Sequence, residues 1–513
     1  MSQDIQLTRC RSLVLPTRLV TLTIVVALFL AAGCSSSTEE EIAKSESAEG
    51  QADDNVDDGP LGTTVDLGNP YSDPSTSDTA ERLGKQLARR RVQQQQDPDR
   101  ELERIALHAL RSADDNERKG YFDIARENRE TVLKIRRRLY GDNSWQVTSA
   151  MIDLNHHKWY AALGDEQRRA LDDSSKLERS AVEFYDKGEY AKAIDEALKV
   201  LKVWQDQGGE GQVHYAFLLY VLAGYEQRQG DFQRAESYHR QSVKLFGDLL
   251  GEHHPDYASV LDNLAVMYQD QGHFDVAKPF FTKANEIRVE TLGTDHFAYA
   301  LGLNNLAALY QDMGDLAAAG PVFQQVLDAL AKHKSVGPQH IYYAAALKNL
   351  AVVYLESGDL NNAQSLVTQA LKIHEKTSPG ARHVNYAISK RVMGRIEQQR
   401  RDYKKAEALL RESLNLLGSS ARKNPAFAKT QLFLGQVYLA QGKYQEAEPA
   451  LKDSLANMQL LLGPKHPKLA RNLSSYAELL RKTGRAGEAG TLEVRAREIQ
   501  ARMANRTRRT TQQ

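Results

Sequence analysis

Five histidines come first among the residues whose types could do chemistry. His254, His296, His340, His383 and His466 are the kind of set that binds a transition metal or moves protons. Their positions argue otherwise, because each stands in a segment that returns at a regular interval, as in GEHHP and GPKHP. Residues that recur once per repeating unit lie in a row along the array, and cannot converge on one ion whose ligands sit about 2 Å away. The adjacent pairs His156–His157 and His253–His254 do no better, since neighbours on a helix do not face each other. The two cysteines, Cys10 and Cys34, give no disulfide framework to the rest of the 513 residues. No G-x-x-x-x-G-K-S/T, G-x-G-x-x-G after a strand, H-E-x-x-H or G-x-S-x-G is present. Carboxylate pairs are abundant without a distinctive setting, and many of the 22 tyrosines fall at repeating positions that suit core packing. The expectation is a chain with no catalytic residues, no metal and no cofactor.

The elements that carry these residues are set by the repeat itself. LGEHHPDYASVLDNLAVMYQDQGHFDVA, from Leu250, returns as LGTDHFAYALGLNNLAALYQDMGDLAAA, from Leu292, with a constant offset of 42. A period of that size marks a solenoid of stacked helix pairs, which offers long surfaces and no natural catalytic pit. Each unit reads as one helix, a turn marked by glycine, and a second helix. The turns fall at Gly120, Gly164, Gly188, Gly230, Gly272, Gly314, Gly358, Arg401, Gly442 and Gly484, and from Gly230 onward their spacings are 42, 42, 44, 43, 41 and 42. The earlier spacings of 44, 24 and 42 indicate a degenerate start with a compressed unit between Gly164 and Gly188. Arg401, standing where the other units have glycine, predicts a strained or differently shaped turn. Ala265, Ala307 and Ala351 are expected to meet Ala277, Ala319 and Ala363 where two backbones approach, while Leu306, Leu309 and Tyr310 fill the space between pairs. Pro279, Pro321 and Pro449, each seven residues past a turn, are expected in the first turn of the second helix, whose amides lack partners anyway.

The motif L-A-x-x-Y-x-x-x-G-x-x-x-x-A, as in Leu306-Ala307…Tyr310…Gly314…Ala319, resembles the tetratricopeptide repeat in its longer form, similar to that of kinesin light chains. The resemblance implies an all-α, right-handed solenoid of antiparallel helix pairs over about 99 to 499, and a protein that binds other proteins. One row of residues then gains a meaning. Asn263, Asn305 and Asn349 share one register on three successive first helices, where asparagine's poor helix propensity asks for a reason. In the family that position faces the concave groove and hydrogen-bonds the backbone of an extended peptide, with Asn304 and Lys348 one place earlier. Alternatively, the asparagines belong to the repeat consensus and serve bonds between units. Val392, Phe433 and Ser475 stand there in the next units, so this mode ends after the third. Arg391, Arg395 and Lys429, neighbouring groove candidates, would favour an acidic partner.

Before the array, Arg9, Arg11 and Arg18 precede an apolar run from Leu19 to Ala32 that ends Leu30-Ala31-Ala32-Gly33-Cys34. A basic segment, a short apolar run and small residues form an export signal. The ending resembles a bacterial lipobox, which implies cleavage after Gly33 and a lipid on Cys34; Ala31 stands where the family more often has Leu. An uncleaved anchor or a non-lipidated signal are the alternatives. By the same resemblance, Ser35 after the cysteine leans toward the outer membrane, periplasmic face. From Ser35 to Ala80 there are 12 Asp/Glu against one basic residue, which reads as a disordered tether. The expected organisation is a signal peptide (1–33), tether (34–79), lead-in helix (80–98), degenerate repeats (99–210), main array (211–499) and basic tail (500–513). Formal net charge is zero and no nucleic-acid partner is expected. The function expected is a membrane-anchored adaptor in the bacterial envelope. The rivals are a structural part of an envelope assembly or export complex, and the regulatory arm of an enzyme.

Overall fold

The computed structural model describes residues 98–510, apart from 334–335, 378–383, 419–424 and 465, with side chains described as far as 501. The signal peptide with Cys34, the tether, the lead-in helix up to residue 97, His383 and the side chains of the basic tail from Arg502 lie outside the described residues. Two compact units divide the chain, one ending at Arg169 and one beginning at Ala170.

The first unit contains α1 (Pro98–Arg118), α2 (Phe122–Tyr140), α3 (Trp145–Ala162) and the start of α4 (Asp165–Asp186). Its core joins Ala106, Ala109, Val132, Leu133, Val147, Ala150 and Leu154. Beside it lies a buried charge network. Arg129, 1% exposed, meets Asp114 at 2.9 Å, Glu117 at 2.9 Å and Asp153 at 3.2 Å. His157 bridges Glu117 (2.5 Å) and the carbonyl of Phe122 (3.0 Å). The 24-residue interval from Gly164 to Gly188 holds a single helix, α4, where the later intervals hold two. Gly164 is not among the left-handed turn glycines.

The second unit continues with α5 (Tyr190–Asp206), α6 (Val213–Gln229), α7 (Phe232–Leu250), α8 (Pro255–Asp270), α9 (Phe274–Leu292), α10 (Phe297–Met313) and α11 (Leu316–Lys332). It runs on through α12 (Ile341–Glu356), α13 (Leu360–Thr377), α14 (Val384–Gln399), α15 (Tyr403–Leu417), α16 (Pro425–Ala440), α17 (Tyr444–Leu462), α18 (Leu469–Lys482) and α19 (Ala486–Thr510). Consecutive helices pack as antiparallel pairs, and each second helix packs on the next first helix. This is an all-α solenoid, with no strand among the described residues.

Caps decide where its helices begin. Four second helices open on aspartate: Asp231, Asp315, Asp359 and Asp402 each accept the backbone N–H three residues on at 3.0 Å. Such a cap is worth about 1 kcal/mol. First helices open on the repeating histidines. The Nδ1 of His254, His296, His340 and His466 accepts the N–H two residues on at 3.0–3.3 Å. Their recurrence is therefore a capping pattern, and a ring nitrogen that accepts an N–H carries no proton.

Packing follows the small-residue expectation. Ala265, Ala307, Ala351, Ala277, Ala319 and Ala363 are all fully buried. Leu306 and Leu309 join residues of α7, α8 and α9 in one cluster, with Tyr310 packed against it. Serines on second helices tie each pair together, Ser242, Ser413 and Ser454 donating to the carbonyls of Ala216, Ala387 and Ala428. Two expectations are refined. Arg401 takes φ 66°, the left-handed turn that glycines adopt elsewhere, so the turn keeps its shape and an L side chain bears the strain. Pro279, Pro321 and Pro449 sit inside their helices, at the sixth residue. That is past the first turn, so each forgoes one helical hydrogen bond instead of occupying a free position.

Candidate functional site

The side chains that could bind a partner are presented by the first helices, and one contact shows which way these face. A Cβ on Gly272, at the turn between α8 and α9, would lie 2.5 Å from Pro467 in the loop before α18. Lys468 Nζ lies 2.7 Å from Asp312 Oδ2, at the end of α10. Pro467 opens the fifth helix pair after the one that holds Gly272; at roughly 10 Å per step, a straight stack would hold them about 50 Å apart. The second unit therefore curls until its later part meets its earlier part, with first helices inside.

On this inner face the asparagine row is largely consumed by the protein. Asn263 is buried and donates to Ser259 O in its own helix at 2.8 Å. Asn349 donates to Asn304 Oδ1 at 2.7 Å, a bond between pairs. Asn305, 9% exposed, alone of the three leaves a buried Nδ2 without an acceptor. Further bonds join first helix to first helix: Gln227 to Asp270 (2.6 Å), Gln269 to Asp312 (2.8 Å), Gln311 to Glu356 (3.0 Å) and Gln436 to Ser475 (2.8 Å).

The cations are brought together. Burial pushes the Lys429 ammonium down to about 7, and Lys468, Arg391 and Lys348 push the same way while only Asp312 opposes. Burial lowers Arg391 to about 9, with Arg395 adding to it, and its Nη1 donates to the Ala426 carbonyl at 3.1 Å. Arg395 is lowered to about 10 by burial, with Arg471 contributing and Glu356, 3.7 Å away, opposing. Its guanidinium lies 4.5 Å over the Phe433 ring, a cation–π contact. A cleft of about 380 Å³ opens there between α14, α16 and α18, lined by Arg395, Phe433, Gln436 and Arg471 among others. Lys348 is itself 9% exposed. Like charges crowded in a partly desolvated space favour an anion.

The structure thus gathers Lys348, Arg391 and Lys429, sets Arg395 beside them, pairs Asn304 with Asn349, and leaves Asn263 within its own helix. Sequence reasoning missed Asp270, Asp312, Lys468 and Arg471. Lys468 did carry a signal: two places after the capping histidine it stands where Asp256, Ala298 and Tyr342 stand in earlier loops.

Stacked antiparallel helix pairs with a shared polar inner face define a helical-repeat scaffold. Tetratricopeptide repeats match residues 174–248, 216–288, 256–332, 299–376, 342–419 and 427–502, more than half the chain, and the protein belongs to the tetratricopeptide repeat family. Among curated proteins, none matches this chain. Among solved structures it is similar to BtubC (BKLC) from P. vanneervenii, at 19% identity over 46% of this chain and 92% of that one, with a TM-score of 0.34. It is also similar to kinesin light chain TPR-like repeats of Podosopora anserina, at 25% identity over 40% and 95%, with a TM-score of 0.34. A Rap protein complexed with competence and sporulation factor is similar at 15% identity over 79% and 99%, with a TM-score of 0.47. The repeat family makes the chain a protein–protein interaction scaffold, a fold that is typically non-catalytic.

Proposed function

We propose that this scaffold is a lipid-anchored adaptor of a bacterial envelope, which holds an acidic, extended segment of a partner protein along the inner face of its second unit. The observation that carries the reading is the gathering of Lys348, Arg391, Lys429 and Lys468, of which Lys468, Arg391 and Lys348 all push the Lys429 ammonium down. A carboxylate-rich segment would relieve that repulsion, and a rigid receptor spends little on ordering itself. Asn305, with its buried free amide, offers a donor to such a segment's backbone. Anchoring rests on the sequence around Cys34, and a tethered lipid raises the effective concentration of the groove at a membrane surface. The outer membrane, periplasmic face, is favoured by Ser35 after the lipid-bearing cysteine.

Two experiments test the halves separately. Crosslinking in intact cells, followed by membrane solubilisation and identification of what co-purifies, is run on wild type and on Arg391→Glu/Lys429→Glu. A partner present with wild type and lost with the variant is expected; one retained by both would move the interface off the inner face. Cys34→Ala is expected to release the protein into the soluble envelope fraction, and its persistence in membranes would exclude lipid anchoring.

A further inference from the structure

The loop between α17 and α18 differs from its counterparts in what it touches. The loops that end in His254, His296 and His340 start the next helix, each histidine capping the first turn of its own helix. The loop that ends in Lys468 starts α18 by the same device, His466 Nδ1 accepting the Lys468 N–H at 3.0 Å. It also crosses the inner face. Pro467 packs against Gly272 so closely that any Cβ there would sit 2.5 Å from its Cγ and 3.0 Å from its Cδ. Lys468 reaches Asp312 at 2.7 Å, their side chains 30% and 23% exposed. Asp270 is a second acid acting on Lys468, and His466, 5% exposed, lies against the Asp270 backbone.

The charges match across this contact. Burial alone would raise Asp312, but Lys468, Gln269 and Lys429 outweigh it and hold the carboxyl below its usual range. Burial alone would lower Lys468, but Asp312 and Asp270 outweigh it and hold the ammonium above its usual range. Each ion thus stabilises the charged form of the other. The contact is nonetheless small: one proline on one glycine, His466 against the Asp270 backbone, and Lys468 between two acids, its pair with Asp312 reached by water on both sides. Partly exposed pairs of this kind contribute little net stability, so the contact can be broken by a modest competing interaction.

We propose that the 466–468 segment is an intramolecular latch, which closes the curled array over its basic inner face and which an acidic segment releases on entering. The releasing step rests on the groove-binding reading above; the closure itself does not. A carboxylate offered to Lys429 and Lys468 replaces Asp312 as the partner of Lys468, and that exchange supplies the difference in affinity between latched and unlatched forms that a population shift requires. The occupant is thus a chain with several carboxylates, because a single one would satisfy Lys429 and leave the Lys468–Asp312 pair closed.

Hydrogen–deuterium exchange on the intact chain reads closure directly. In wild type, amides of 466–470 and of 268–274 are protected together. Lys468→Glu is expected to expose both segments, and Lys468→Glu/Asp312→Lys, which rebuilds the pair with its signs exchanged, to restore both. Segments that stay protected in Lys468→Glu, or that the swap fails to restore, overturn the latch; circular dichroism confirms that each variant keeps its helices. Gating is read with fluorescein-labelled octaglutamate. Pro467→Ala leaves every charge of the inner face in place and is expected to bind it about threefold more tightly than wild type, and bound peptide is expected to deprotect 466–470 in wild type. Equal affinity of Pro467→Ala and wild type overturns the gating. Failure of both to bind the peptide overturns the groove reading and the gating with it, while the swap experiment still decides whether the latch exists.

Discussion

The pairs α8–α11 and α14–α19 are built alike yet present opposite chemistry inward. The earlier pairs carry amides and acids: Asn263, Asn304 and Asn305, then Asp270 and Asp312 at the helix ends. The later pairs carry Arg391, Arg395, Lys429, Lys468 and Arg471, with Val392, Phe433 and Ser475 at the register that asparagine holds earlier. Between them α12 carries both kinds, Lys348 and Asn349. The difference teaches that the two sides divide the work. Earlier amides and glutamines are spent joining pair to pair, as Asn349 to Asn304 and Gln269 to Asp312 show. Later cations crowd around Lys429, and two of them, Lys468 and Arg395, meet Asp312 and Glu356. Opposite signs then meet where the curl brings the two sides together.

Charge reversal breaks the comparison most directly. Arg391→Glu/Lys429→Glu is expected to weaken octaglutamate binding about 100-fold, since each partly desolvated charge-assisted contact is worth about 1.5–3 kcal/mol. Asn263→Ala and Asn349→Ala, whose amides are already engaged, are expected to change it by less than about threefold. Fluorescence anisotropy measures both. Dominance of the asparagines over the cations would reverse the roles of the two sides.

A stability difference sharpens it. On the earlier side Arg288 and Asp262 form a buried pair at 2.7 Å, and Gly302 leaves room for it: a Cβ there would lie 2.3 Å from both Arg288 Nη1 and Asn285 Oδ1. Gly302→Ala is expected to destabilise this side by about 1–3 kcal/mol through overpacking. On the later side a Cβ on Gly394 would lie 2.9 Å from Leu410 Cγ, a smaller overlap with no charged group displaced, and Gly394→Ala is expected to destabilise less. Denaturant unfolding followed by circular dichroism tests the order, and an equal loss would remove this contrast.

Acid acts mainly through the earlier side and the latch. Burial lowers His239, His254 and His466 to about 4 from 6.5. Each is neutral when folded and gains a proton on unfolding, so its contribution is complete above pH 6.5 and is lost as pH falls toward 4. Asp114 and Asp262, raised by burial to about 6, and Asp153 and Asp270, raised by burial as well, act in the opposite sense. The histidines' share tilts the melting temperature downward as pH falls from 6.5 to 4. His254→Asn, which keeps a cap acceptor and cannot protonate, is expected to flatten that slope; an unchanged slope would show that the cap does not titrate with folding.

The smallest effect belongs to the later side's turn. Arg401 holds φ 66° where the other first-to-second-helix turns have glycine. Arg401→Gly is expected to stabilise by up to about 1 kcal/mol, because relief of the left-handed strain exceeds the entropy glycine adds to the unfolded chain. No gain in thermal stability would mean that the arginine side chain compensates for its backbone.

Local rules made much of this protein legible. A period of 42 fixed the helix pairs, since amphipathic faces and turn residues act within a few residues of themselves. The alanine contacts and the recurrence of one histidine per unit followed from spacing alone. The capping role of those histidines was also written there, in their place just before each first helix, although it went unread. Prolines were misplaced by a few residues because a helix's first residue depends on its cap, Asp315 for Pro321, and not on the proline.

What no local pattern carries is which distant residues meet. Closure of Pro467 on Gly272 depends on the small rotation at each helix-pair interface, added over five of them, and a slight change in each would separate the two by many ångströms. The gathering of Lys429, Lys468 and Asp312 is decided by that sum. Sequence by itself determined a solenoid with charged residues on its first helices; only the tertiary structure decided that these charges face one another.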